Sequence, residues 1–152
     1  LAQNALAEMR SLLLELHPSS LNDANLGDLI RHIAETISNR TGLEINVRVE
    51  RQDPVPPDVQ FALYRVVQEA LNNVALHASA SQVDIDFKSD SGQLDLTIQD
   101  DGLGFEPAKI DVGHLGLSIM SDRIGNIGGT VEINSEKGSG TRIKINWTAS
   151  SD

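Results

Sequence analysis

Residues 83–105 read VDIDFKSDSGQLDLTIQDDGLGF, and the alternation in this stretch decides the architecture. Val83, Ile85 and Phe87 alternate with Asp84, Asp86 and Lys88, the period-two pattern of a strand with one face on a core. Asp90-Ser91-Gly92 is a turn signal, after which Leu94, Leu96 and Ile98 resume the alternation, so the two runs predict a β-hairpin. Asp100 shares the parity of Leu94, Leu96 and Ile98, which directs a carboxylate toward the core side. A carboxylate there is costly without partners. Gly102 and Gly104 follow at once and allow close approach of a ligand or a positive φ; an ordinary Asp-Gly turn would use the same residues.

Upstream, a helical pattern runs from about Asp58 to Ala78, entered through the Pro-rich link 53–57. Before it, Ile45, Val47 and Val49 alternate with Asn46, Arg48 and Glu50 as a strand. Leu26, Leu29, Ile30, Ile33, Ala34 and Ile37 mark an earlier helix stopped by Gly42. At the start, Leu6, Met9, Leu13 and Leu16 form a narrow apolar seam ended before Pro18, the spacing of a coiled coil or helix bundle. Downstream, 101–113 is polar and contains Gly and Pro, as a loop does. Leu115, Ile119, Met120, Ile124 and Ile127 predict a helix closed by Gly128-Gly129. Val131 and Ile133 open a strand, 137–140 turns, and Ile143, Ile145 and Trp147 return; 148–152 is expected to fray. Mostly antiparallel strands with interspersed helices imply an α+β sandwich, helices on one face of a single mixed sheet.

The 152 residues suit one main domain. No apolar run approaches the ~20 residues that span a bilayer. With no cysteine, disulfides and thiolate chemistry are excluded. The net charge of −10 opposes nucleic acid and anionic membrane as partners, and a phosphate ligand would need a metal counter-ion and backbone donors. A chain opening on Leu1 is expected to be a piece of a longer one, with no sign of a secretory leader.

Three further features bear on chemistry. Glu69, Asn73 and His77 recur every four residues, a polar stripe drifting about 40° per step. A solvent face would explain it, and so would an oxygen-rich magnesium site with a base nearby. Gly113-His114-Leu115-Gly116-Leu117-Ser118 heads a helix, where free N–H groups attract anions. In Gly138-Ser139-Gly140-Thr141, Thr141 has the parity of Ile143 and faces inward.

In order and spacing these elements resemble the GHKL ATPase superfamily, which includes histidine kinases and gyrase-type ATPases. The likeness covers 22–147. Residues 68–78 (QEALNNVALHA) and 114–120 (HLGLSIM) are most similar to the nitrate/nitrite-sensor branch of histidine kinases, as is a short lid between Phe105 and Gly113. The resemblance implies a two-layer α/β sandwich of the Bergerat/GHKL type over 19–152, with 1–18 as the end of a second dimerisation helix. It makes Glu69 the catalytic residue that polarises the reacting groups, and Asn73 both the Mg2+ ligand and a nucleotide contact. Asp100 would accept from the adenine amine, with Thr141 supporting it. Gly102, Gly104 and Phe105 would shape the adenine pocket and lid hinge. Gly116, Leu117 and Ser118 would offer donors to the phosphates, with His77 and His114 as further ATP contacts.

One position departs from the pattern: the Lys or Arg usual just before His77 is Leu76. His17 stands where the second dimerisation helix ends, not at an acceptor motif, and His32 lies off the apolar face of its helix. The resemblance therefore implies ATP and Mg2+ as cofactors, and a histidine outside this sequence as acceptor. It also implies a response regulator downstream, a homodimeric parent, and a cytoplasmic domain of a sensor, with the inner membrane as one place of anchorage. An anti-sigma-factor-type serine kinase and a non-catalytic nucleotide-binding or dimerisation module are the alternatives.

Overall fold

The computed structural model describes residues 25–104 and 115–150. The expected seam before Pro18, with His17, and the positions Phe105 and His114 lie outside them.

Helix α1 (Leu26–Thr41) is followed by strand β1 (Glu44–Gln52), helix α2 (Pro57–Asn73) and a π-helical turn (Val74–Ala78). Then come β2 (Gln82–Asp90), β3 (Gln93–Asp100), helix α3 (Leu115–Asn126), β4 (Thr130–Glu136) and β5 (Gly140–Thr148). The strands form one five-stranded sheet in the order β1-β2-β3-β5-β4. Only β1 and β2 pair in parallel; the other three pairings are antiparallel. That exception follows from the connection, since parallel neighbours need a long crossover and α2 supplies it.

The hairpin forms as the alternation requires. Asp90 pairs with Gln93, so Ser91 and Gly92 make a two-residue loop, both with positive φ (53° and 81°). Val83, Ile85, Phe87, Leu94, Leu96, Ile98, Ile143, Ile145 and Trp147 are buried on one face, under Ile30, Ile33 and Ile37 of α1, Leu63, Val67 and Leu71 of α2, and Met120 and Ile124 of α3. The opposite face is a charged ladder: Arg48 lies 3.6 Å from Asp86 and Lys88 3.3 Å from Glu50, all partly or fully in solvent. This sheet face is thus solvated, while the helices share the other.

Two expectations are refined. Gly42 ends α1 in the left-handed conformation (φ 77°), its N–H donating to Ser38 O, as anticipated. The pattern over 58–78, however, is not one regular helix, because its last five residues adopt π geometry and end at Ser79 with φ 49°. The C-terminal stretch is also ordered further than expected: Thr148 pairs with Gln93, and Ala149 N–H donates to Gly92 O at 2.7 Å. No described helix is long and apolar enough to cross a membrane.

Ile145 is fully buried in β5, between β3 and β4. Ile145→Ala should cost about 2–5 kcal/mol through lost burial and the cavity left behind. Urea denaturation followed by the fluorescence of Trp147, the single tryptophan, measures this. A cost under about 1 kcal/mol would show that this layer can collapse around the gap.

Candidate nucleotide site

Asp100 ends β3 on the inner face and is only 6% exposed. Its Oδ1 accepts the N–H of Gly102 at 2.8 Å. Burial raises its pKa above the ordinary 3.8, while the N–H groups of Gly102 and Thr141 pull the other way. The polypeptide around this carboxylate is packed so closely that side chains are excluded. A Cβ on Gly102 would overlap Ala78 O and stand 2.8 Å from Ala78 Cβ and 2.9 Å from Asp100 Oδ1. Gly104 (φ 65°) is pressed against the Glu136 carbonyl, and Gly140 (φ 81°) against that of Asp100. Gly102, Gly104 and Gly140 are therefore each required by a close approach, Gly104 and Gly140 also by conformation.

Hydrogen bonds tie this floor to the end of α2 and to the β4–β5 turn. Leu103 N–H donates to Ala78 O at 2.7 Å, and Gly138 N–H donates to Leu103 O at 2.6 Å. Asp101 turns away from the site. Its carboxylate accepts from Ser81 Oγ (2.6 Å), Ser81 N–H (2.8 Å) and Gln82 N–H (3.0 Å). The Ser81 hydroxyl bond leads in holding Asp101 below the usual carboxylate range. Two adjacent aspartates thus divide their work: Asp101 fixes the chain between the π turn and β2, and Asp100 faces inward.

Glu69 and Asn73 sit half-buried on α2, which continues into the π turn that ends at Ala78 against Gly102. A π turn holds more than four residues per turn. The 40° drift of the stripe therefore reverses after Asn73, bringing His77 back toward the side of Glu69. His77 is exposed, as is Leu76, at 76%. Helix α3 packs along α2 and begins at Leu115, so Gly116, Leu117 and Ser118 fall in its first turn, where backbone N–H groups lack helical partners. Thr141 pairs with Asp100 across β3–β5.

The structure thus gathers Asp100, Gly102, Gly104 and Thr141 on one floor, with the Glu69–Asn73–His77 helix leading into it. Among the described residues no group of three or more His, Asp or Glu side chains is placed to hold a metal. A Mg2+ ion here would draw on phosphate and water oxygens, with the Asn73 amide as a neutral protein ligand. His32 is exposed and far along the chain from this set. Sequence reasoning missed the Ala78 carbonyl, Asp101 and Gly140. The Ala78 carbonyl carries no side-chain signal, whereas the positive φ of Gly140 was foreshadowed by its place in a Gly-containing turn.

Residues 58–150 match the family described as histidine kinase-, DNA gyrase B-, and HSP90-like ATPase. The chain is 32% identical over 145 residues to the sensor histidine kinase LiaS of Bacillus subtilis, covering 95% of this chain and 40% of that protein. It is 30% identical over 146 residues to the signal transduction histidine-protein kinase/phosphatase DegS of Brevibacillus brevis, covering 95% and 38%. The chain thus spans about two fifths of the length of these relatives. Among solved structures, the blue-light activated histidine kinase EL346 of Erythrobacter litoralis superposes with a TM-score of 0.70 at 26% identity, over 90% of this chain and 50% of that one. With the five-stranded mixed sheet, the one-sided helical layer and the Asp100 floor in place, the match over 58–150 establishes that the chain belongs to the histidine kinase-, gyrase B- and HSP90-like ATPases.

Proposed function

We propose that this domain binds ATP with Mg2+ and delivers the γ-phosphoryl group to a histidine on a helical dimerisation element outside this chain. From there the group passes to an aspartate of a response regulator. The observation that carries the reading is Asp100: a buried carboxylate beside a glycine that tolerates no side chain, facing inward as an acceptor for a base amine. Gly102 and Gly104 shape that pocket with Phe105. The first turn of α3 (Gly116, Leu117, Ser118), with His77 and His114, meets the phosphates. Asn73 ligates Mg2+, and Glu69 polarises the reacting groups. Catalysis in such a site rests on positioning and charge neutralisation. The relatives LiaS and DegS, both named as histidine kinases, support a kinase. Within the histidine kinases we place the chain beside the nitrate/nitrite-sensor branch, on the motifs at 68–78 and 114–120. The parent is read as a homodimeric sensor with this domain in the cytoplasm, and residues 1–18 as the end of its second dimerisation helix.

One observation favours a second reading. Leu76 is 76% exposed where the family pattern carries a cation, which fits a nucleotide-binding module without phosphotransfer. ATP binding without transfer to any supplied histidine domain would select it.

Asp100→Asn should weaken ATP binding about 10- to 150-fold, the effect of losing one charged hydrogen bond in a buried site. Calorimetric titration of a variant shown to be folded measures this, and unchanged affinity would remove Asp100 from the base site. The pH dependence has a definite sign. Binding uses the ionised carboxylate, so affinity is full above the folded-state pKa and is lost as pH falls through it. Because burial raises that pKa above 3.8, the loss should begin at higher pH than an ordinary aspartate would give. The Asn variant should lack this component.

Asn73→Ala should reduce the dependence of binding on Mg2+ more than binding itself. Titrating a non-hydrolysable ATP analogue with and without Mg2+ tests the role. Wild-type Mg2+ coupling in the variant would make the stripe on α2 a surface only.

A further inference from the structure

Strand β1 lies at one edge of the sheet, and among the described residues only β2 pairs with it. In a parallel ladder the N–H and C=O of one residue point to the same side, and those of the next residue point away from it. Glu44 N–H donates to Ser81 O on the β2 side. Glu44, Asn46 and Arg48 therefore bond toward β2, while Ile45, Val47 and Val49 present their N–H and C=O groups to the open edge. The bulge of β1 falls only after Val49, and no proline interrupts 44–52, so residues 44–48 keep a regular edge. The side chains of Ile45 and Val47 are only half-buried. With Ala34, Arg31 and Glu35 they line a groove of about 360 Å3 between α1 and β1.

We propose that this edge pairs with the same edge of a second copy of the chain, the two β1 strands running antiparallel about a two-fold axis at Asn46. Residues 44–48 read EINVR, a sequence complementary to itself in that register. Glu44 stands opposite the second copy's Arg48, and Arg48 opposite its Glu44. Ile45 stands opposite Val47, and Val47 opposite Ile45. Both apolar residues face the open edge, so each of their two pairs exchanges two backbone hydrogen bonds. The Glu44–Arg48 pairs fall at the non-bonded positions, where facing side chains come closest and opposite charges are favourable. Moving the axis to Val47 would set Glu44 against Glu50, so charge selects the register at Asn46. Arg48 already lies 3.6 Å from Asp86, and a guanidinium has five N–H donors to share. On the helical side, the second copy's Ile45 and Val47 would cover those of the first and the groove beside them. A pairing of this length is small beside a stable protein interface, so the dimer is a weak one. It leaves the Asp100 floor open, because β2 separates β1 from β3.

The test is sedimentation equilibrium of the whole chain at concentrations up to about 1 mM, the range of weak association. Wild type should show a monomer–dimer equilibrium. Glu44→Arg and Arg48→Glu should each weaken it about 10-fold or more, because by symmetry each creates two like-charged pairs. An equimolar mixture of the two variants should dimerise again, since every charged pair between unlike copies is then complementary. The double variant Glu44→Arg/Arg48→Glu should also recover. A general effect on folding cannot produce recovery on mixing. Amide exchange of wild type gives a second reading that needs no variant: the N–H groups of Ile45 and Val47 should gain protection as concentration rises, while those of Glu44 and Asn46, already turned to β2, should not. A wild type that stays monomeric throughout overturns the proposal. So does a dimer that neither single variant weakens, as pairing through the seam at 6–16 would give, or a mixture no tighter than its components.

Discussion

The buried carboxylate of Asp100 is the constraint around which the site is organised. Removing an ionised group from water costs several kcal/mol unless partners replace the hydration, and here a backbone N–H at Gly102 does part of that work. The partner is available only because residue 102 has no side chain, since Ala78 fills the space a Cβ would need. The end of α2, the end of β3 and the β4–β5 turn are therefore locked into one arrangement by contacts at 102, 103, 138 and 140. A carboxylate held this way remains under-solvated, and its burial raises its pKa. A ligand donor that reaches it supplies what burial removed.

The rest of the fold brings other chemistry to that point. The parallel β1–β2 pairing obliges a crossover, and the crossover is α2, which carries Glu69 and Asn73 and ends where Asp100 needs its neighbour. The π turn at its end changes the direction in which His77 projects and sets the Ala78 carbonyl against Leu103. π turns recur at functional sites because they redirect side chains without breaking a helix. Helix α3 has a glycine in its first turn, where backbone N–H groups lack helical partners, and it packs on α2.

Much of this was legible beforehand, for identifiable reasons. The hairpin at 82–100 followed from strict alternation and a two-residue Ser-Gly loop, and the inward aim of Asp100 followed from parity alone. Gly42 as a stop, and the face of α1 built on Ile30, Ile33 and Ile37, followed from helical periodicity. What escaped has a common physical character. The π turn leaves no mark in the hydrophobic pattern, because one altered turn shifts the phase only at the helix end. The Ala78 carbonyl is backbone, invisible to any reading of side chains. Asp101 owes its role to a partner 20 residues away, and only strand register reveals it. The ordered end at Thr148 was missed because its pairing with Gln93 depends on where the hairpin begins.

Phosphotransfer in trans measures most directly the proposed service of an ATP bound in this domain to a histidine carried elsewhere. The domain is incubated with Mg2+ and γ-labelled ATP, with and without a helical dimerisation domain bearing an acceptor histidine. Acid-labile phosphate on the supplied histidine, with none on His17, His32, His77 or His114 of this chain, is the predicted result. Acid-stable phosphate on serine, or stoichiometric label on His17, would contradict it.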